Sequence, residues 1–198
     1  MSFLWEFMRS PLTVGALVPS GRSLARVVTA PVPSTGDPVV VELGPGTGAF
    51  TTTIQRRLAG RGRHVAVELN DRFARRLALT HPGVDVARAD ARDLVPLLAA
   101  RGLGAADVVV SGLPWAAFAP RDQRDVLRAV TSVLPPHGVF TTFAYVHARW
   151  TGPARRLMRS LRSQFDEVVV GRTVWDNVPP ALVYHCRRPV RLTEGDMP

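Results

Sequence analysis

The sequence predicts an α/β fold built on a mostly parallel sheet with helices on both faces. Short β-branched runs alternate with amphipathic helical stretches along most of the chain, the pattern of repeated strand–helix units. Val39, Val40 and Val41 form one such run, as a strand buried on both faces requires. Glu42-Leu43-Gly44-Pro45-Gly46-Thr47-Gly48 follows at once and leads into a helix, Phe50 to Leu58, with Phe50, Ile54 and Leu58 on one stripe. Strand, glycine turn and helix start together make a nucleotide-type site.

The spacing of that turn narrows the ligand. Dinucleotide folds use G-x-G-x-x-G around a pyrophosphate, whereas this chain has E-x-G-x-G-x-G with Glu42 at the strand end. A carboxylate there repels a pyrophosphate and suits an ammonium, as on the methionine tail of S-adenosylmethionine. ELGPGTG resembles the first motif of the class I S-adenosylmethionine-dependent methyltransferases. The resemblance implies a Rossmann-like fold, with a seven-stranded sheet ending in an antiparallel hairpin. It also implies cofactor contacts from Glu42, Gly44, Gly46 and Gly48.

Composition bounds the rest. The 198 residues suit one domain, and 46% hydrophobic with 21% charged residues is a globular balance. The formal charge is +9, and all 25 basic residues are arginine. Arginine forks match phosphate, so nucleic acid or an anionic lipid surface is a fair partner; genomic base composition explains the lack of lysine equally well. The single cysteine, Cys186, excludes an internal disulfide, and no metal site is expected. No apolar run is long enough to span a bilayer, and the start lacks the pattern of a signal peptide, so a cytoplasmic location is expected.

Residues 1–9 read as a short helix with Phe3, Leu4, Phe7 and Met8 on one stripe beside Trp5. That stripe meets either a membrane interface or the protein's own core. Pro11 stops it. After the apolar stretch 12–20, Ser20 is the expected N-cap of a helix from Gly21 to about Ala30, and Pro31 to Pro38 reads as a loop. The opening, with RSPLTVGALVPSGRSLAR before ELGPGTGAFT, resembles the bacterial phospholipid N-methyltransferases. Pro11, Val14, Gly15, Ala16, Pro19, Ser20, Arg22 and Ala25 carry the likeness, and Gly21 replaces the usual second serine. The resemblance implies that residues 1–30 form an amphipathic helix and a lid over the cofactor, and that 31–198 form the S-adenosylmethionine-binding domain.

His64 to Leu69 reads as the second strand, and Glu68 at its end lies 20 residues beyond Gly48, placed to accept both ribose hydroxyls. Leu69 belongs to the same edge. A helix from Arg72 to about Thr80, capped by Asn70 and Asp71, is expected to turn Phe73 and Leu77 inward. Val84 to Ala89 is the third strand. The methyltransferase pattern gives Asp90 the adenine amine and Ala91 the ring, although Asp90 also suits a helix cap; Asp93 caps a helix Leu94 to Ala100.

Ala106 to Val110 is the fourth strand, followed by Ser111-Gly112-Leu113-Pro114-Trp115. Nucleic-acid amino-methyltransferases carry Asn or Asp where this chain has Gly112, which offers no side chain to a planar amine. S-G-L-P is instead similar to the phospholipid family. Ser111 is assigned to the cofactor, and Gly112, Leu113, Pro114 and Trp115 to the acceptor; Trp115 lines the acceptor cavity or closes the core. A helix from Pro120 to Leu134 and a fifth strand, Val139 to Val146, bring Tyr145 and His147 to the same edge as candidate bases. A helix from Pro153 turns Leu157, Leu161 and Phe165 inward. Arg155, Arg159 and Arg162, with Arg149 and Arg156, form a basic face for lipid headgroups or simply for water, and Arg149 is assigned to the substrate. Glu167 to Val174 and Ala181 to Cys186 read as the closing pair.

The resemblance therefore implies an N-methyltransferase that carries phosphatidylethanolamine towards phosphatidylcholine. It would act as a monomer at the inner membrane surface, with an anionic membrane and an aminophospholipid as partners and no nucleic acid. A ribosomal RNA adenine dimethyltransferase and a small-molecule methyltransferase are the alternatives.

Overall fold

The computed structural model describes residues 21–190. Five strands run parallel: β1 (Val39–Leu43), β2 (Arg63–Val67), β3 (Asp85–Ala87), β4 (Val108–Ser111) and β5 (Val139–Tyr145). β6 (Phe165–Val170) and β7 (Ala181–Pro189) close the sheet, with β7 antiparallel to both β5 and β6. The order across the sheet is β3-β2-β1-β4-β5-β7-β6. The described residues hold six α-helices: α1 (Arg22–Val28), α2 (Ala49–Leu58), α3 (Asp71–Thr80), α4 (Leu94–Ala99), α5 (Pro120–Val133) and α6 (Gly152–Gln164).

The period of two in a strand sorts side chains between two layers. Val41, Leu43, Val67, Val109 and Phe140 face α4, α5 and α6, meeting Leu94, Leu98, Val126, Val130, Leu157 and Leu161. Val40, Val108, Val110 and Val183 face α1 and α2, meeting Leu24, Val28, Phe50, Ile54 and Leu58. Leu77 of α3 packs on Ala66 and Val84. Both faces are covered, so the central strands are apolar throughout.

Several boundaries differ from expectation for identifiable reasons. The N-cap of α1 is Gly21, which makes no side-chain cap bond; Ser20, like the expected helix 1–9 and most of the lid segment, lies outside the described residues. Asn70 caps α3, its Oδ1 accepting from the N–H groups of Arg72 and Phe73. Phe165 leaves the helix and opens β6, where its ring stacks on Phe140 at 5.9 Å. The last strand continues to Pro189 because its far end still pairs with β6.

Candidate active site

The carboxyl ends of β1, β2, β4 and β5 share one edge, and the glycine turn lies across it. Gly44 N–H donates to Val67 O at 2.9 Å, which ties the turn to β2. Gly112 N–H donates to Leu43 O at 2.8 Å, so the loop after β4 crosses the turn in close contact. A Cβ at Gly112 would stand 2.7 Å from Gly44 O. Glycine at 112 is therefore required by backbone approach, whatever acceptor the loop holds.

The three acids of the edge are in different states. Glu42 is fully buried; its Oε2 accepts from Thr51 Oγ1 at 2.7 Å and lies 3.2 Å from His64 Nε2, off the line of a good hydrogen bond. Its Oε1 has no donor among the described residues. Gln55 Nε2 sits 3.0 Å from His64 Nδ1; a donating amide makes Nδ1 the acceptor and leaves the ring proton on Nε2, the nitrogen nearer Glu42. Glu68, also buried, accepts from Gly46 N–H at 3.1 Å and Asn70 N–H at 2.9 Å. Burial pushes its carboxyl above the usual range; those two N–H donors oppose the rise and the charge of Glu42 adds to it. Asp90 is gripped by Arg92, with Nε and Nη2 on its two oxygens at 3.0 and 2.6 Å, and it accepts from Arg92 N–H as an N-cap. Burial alone would raise its pKa, but the bonds from Arg92 outweigh it and hold the carboxyl below the usual range.

Beside Asp90 lies an open slot, about 340 Å³ with open solvent included, lined by Val67, Leu69, Ala89, Asp90, Ala91, Leu113, Phe118 and Val126. An apolar slot with one carboxylate among its lining residues suits a purine carrying an exocyclic amine. Three cofactor candidates, Leu69, Asp90 and Ala91, thus share a cavity with Leu113. The space over Gly46 is also open: a Cβ there would meet nothing within 4 Å. The residues present fit S-adenosylmethionine: the edge combines an open glycine turn, a slot lined by Asp90, and a buried Glu42 whose Oε1 has no donor among the described residues.

The residues assigned to the acceptor differ in burial. Ser111 Oγ accepts from Trp115 Nε1 at 3.1 Å and from Leu113 N–H at 3.3 Å, and Trp115 Nε1 also reaches Thr142 Oγ1 at 2.9 Å. The Trp115 ring is 3% exposed against Phe118 and Phe140, so its surface is spent in the core. Pro114 is half-buried beside it. Tyr145 and His147 stack, with ring centroids 5.8 Å apart, and burial raises the Tyr145 phenol pKa. Arg149 is exposed, its guanidinium 4.3 Å over the Trp150 ring.

Thr51, Gln55, His64, Phe118 and Val126 were not legible as site residues. His64 pairs across from Val40, two residues before Glu42, and only strand register brings its ring to the carboxylate. Thr51 lies nine positions beyond Glu42, on the first turn of α2.

Comparison with known proteins agrees with this geometry. A family model described as a methyltransferase domain matches residues 40–138. An ornithine lipid N-methyltransferase from Singulisphaera acidiphila is 37% identical over 193 residues, covering 93% of this chain and 94% of that protein. Human methyltransferase-like protein 13 in complex with SAH superposes with a TM-score of 0.61 at 19% identity, over 89% of this chain and 82% of that one. Aeropyrum pernix fibrillarin with natively bound S-adenosyl-L-methionine gives 0.60 at 17% identity, over 91% and 76%. The glycine turn, the acids at its edge and the matched domain have one reading: this chain belongs to the class I methyltransferases, enzymes whose cofactor is S-adenosyl-L-methionine.

Proposed function

We propose that this enzyme methylates the amine of a membrane lipid, working as a peripheral protein on the cytoplasmic side of an anionic membrane. The observation that carries the reading is the likeness to an ornithine lipid N-methyltransferase over nearly the whole of both chains. Gly112 is compatible with it: the loop after β4 offers no amide or carboxylate at that place, although the close backbone approach accounts for the glycine by itself. Phosphatidylethanolamine is the acceptor proposed here, with ornithine lipid beside it, since both present a primary amine.

Bound S-adenosylmethionine supplies a sulfonium methyl open to in-line displacement. The chain's own work is to hold and orient. Glu42 takes the ammonium, Glu68 the ribose hydroxyls, and Asp90 and Ala91 the adenine, with Leu69 against the ring. Gly44, Gly46 and Gly48 let the backbone approach, and Ser111 fixes the loop after β4 through Leu113 N–H. Gly112, Leu113 and Pro114 form the acceptor's wall, braced by Trp115 from behind, and Arg149 meets the lipid phosphate. A lipid amine resembles lysine and is protonated at neutral pH, so it must lose a proton before attack. Tyr145, its pKa raised by burial, keeps its own proton and positions; His147, stacked on it, is the acceptor of the amine's proton.

The test is methyl transfer from labelled cofactor to phosphatidylethanolamine vesicles, ornithine lipid and ribosomal RNA. Label in either lipid is the expected outcome and identifies the headgroup. Label in RNA alone overturns the reading, and label in none of the three redirects it to a small-molecule acceptor.

A further inference from the structure

We infer that the rim formed by the turn after β5 and the β6–β7 loop is a docking surface for an anionic lipid bilayer. The inference rests on the lipid-amine reading above and names the surface by which the enzyme would meet its substrate.

Among the described residues, Trp115 is buried while Trp150 and Trp175 are each 72% exposed. Both exposed rings stand at one end of the sheet. Trp150 follows Tyr145, the last residue of β5, by five positions. Trp175 adjoins Val174, whose backbone pairs with Ala181, and Ala181 lies opposite Tyr145. Val146 N–H donates to Pro180 O at 2.8 Å and joins the two loops directly. Val178, 71% exposed, projects from the same loop. The exposed Leu79 and Val95 are single residues on α3 and α4, whereas Val169 and Val170 lie on the outer strand β6, whose end leads into the same loop.

The loop is braced, so its apolar side chains are held out by construction. Asn177 is 2% exposed: its Oδ1 accepts from Gly21 N–H at 2.8 Å and its Nδ2 donates to Pro179 O at 2.6 Å. The Ser23 hydroxyl donates to Asp176 on the other side. Val174 anchors the loop in the core. Trp175 and Val178 on this braced loop, with Trp150 on the loop bonded to it, gather exposed apolar side chains at one place, and such a patch points to a partner.

Charge decides which partner. Arg149 lies over the Trp150 ring, Arg172 precedes Val174 by two positions, and Arg22 starts α1 beside Gly21. All three are exposed, and none is in an ion pair among the described residues. Asp176 in the same loop accepts from the Ser23 hydroxyl and keeps its charge, so three guanidinium groups stand against one carboxylate there. Indole rings favour the headgroup boundary, and unpaired guanidinium groups seek phosphate. A second copy carrying the same formal charge of +9 is a poor occupant. The rim continues the edge that bears the glycine turn and Tyr145, so docking there turns the open edge toward lipid amines.

The test uses the full chain with Trp150→Ala and Trp175→Ala combined, on vesicles of phosphatidylethanolamine with phosphatidylglycerol. Partitioning by sedimentation is expected to fall about tenfold or more, and methylation of vesicle lipid to fall with it. Transfer to the same lipid in detergent micelles, and cofactor affinity, should stay at wild-type values, and Phe at both positions should restore most of the partitioning. The proposal is overturned if the Ala variant partitions like the wild type, whether the rim is then covered by residues 1–20 or by a second copy. A wild type that partitions through the rim yet methylates lipid in neither format would refute the lipid-amine reading and leave the rim standing.

Discussion

Replacing Gly112 with alanine tests the crossing of the two loops, and Gly46→Ala is its control. Gly112 has no positive φ, so alanine suits its backbone; the obstacle is the Cβ, 2.7 Å from Gly44 O, a backbone atom that cannot rotate away. The same segments are pinned by the 2.8 Å bond from Gly112 N–H to Leu43 O, so relief of the clash must stretch that bond. Overpacking costs about 1–3 kcal/mol and a weakened hydrogen bond about 1 kcal/mol, so about 2–4 kcal/mol is expected, a large share of a domain's marginal stability. Gly46 is the reverse case: φ is +53° and a Cβ meets nothing. Alanine there costs only the left-handed backbone, about 1–2 kcal/mol, yet fills space over the turn. Urea unfolding and cofactor calorimetry on both variants separate the effects. Gly112→Ala should lose more stability, and Gly46→Ala should lose cofactor affinity out of proportion to its stability. A Gly112→Ala protein as stable as the wild type would refute the steric account and return that position to acceptor choice alone.

Glu42→Gln keeps the shape of the side chain while removing its charge, so cofactor affinity should drop about tenfold or more with little change in Tm; hydrogen bonds to charged groups justify that scale. Glu68 gives opposite pH trends. Its folded pKa stands above the ordinary 4.5, so its contribution to stability is present at low pH and is lost as pH rises through the folded value. Ribose hydroxyls donate to a carboxylate, so cofactor affinity should rise over that same window; parallel trends in Tm and affinity would contradict the assignment. Trp115→Phe leaves Ser111 and Thr142 hydroxyls without their shared donor, which should cost about 1–3 kcal/mol in denaturant melts.

The order of strands and helices was legible because buried parallel strands and amphipathic helices have distinct periods. Val39–Val41 and the stripe Phe50, Ile54 and Leu58 lie where that reading puts them. The glycine turn was legible as chemistry because its spacing is local. Contacts made across strands were not: the His64–Glu42 approach depends on register between β1 and β2. Phe165 fitted a helical stripe and sits in β6, because stacking on Phe140 decides between two periods that a single apolar residue satisfies equally. In the sequence Asp90 suits both a cap and an adenine acceptor. Its bonds to Arg92 realise the cap, and the cavity beside it holds the second role open.

The position of β7 has a consequence for biosynthesis. It follows β6 in the chain but lies between β5 and β6 in the sheet. The parallel strands can therefore pair in order as they leave the ribosome, whereas β6 emerges with no strand to join until residues 181–189 have followed it. During that interval the open side of β5 and the whole of β6 are unpaired edges, and Val168, Val169 and Val170 make the latter a sticky one. A nascent chain paused before Ala181 should therefore be a substrate for chaperones, and release of that stretch should end the dependence.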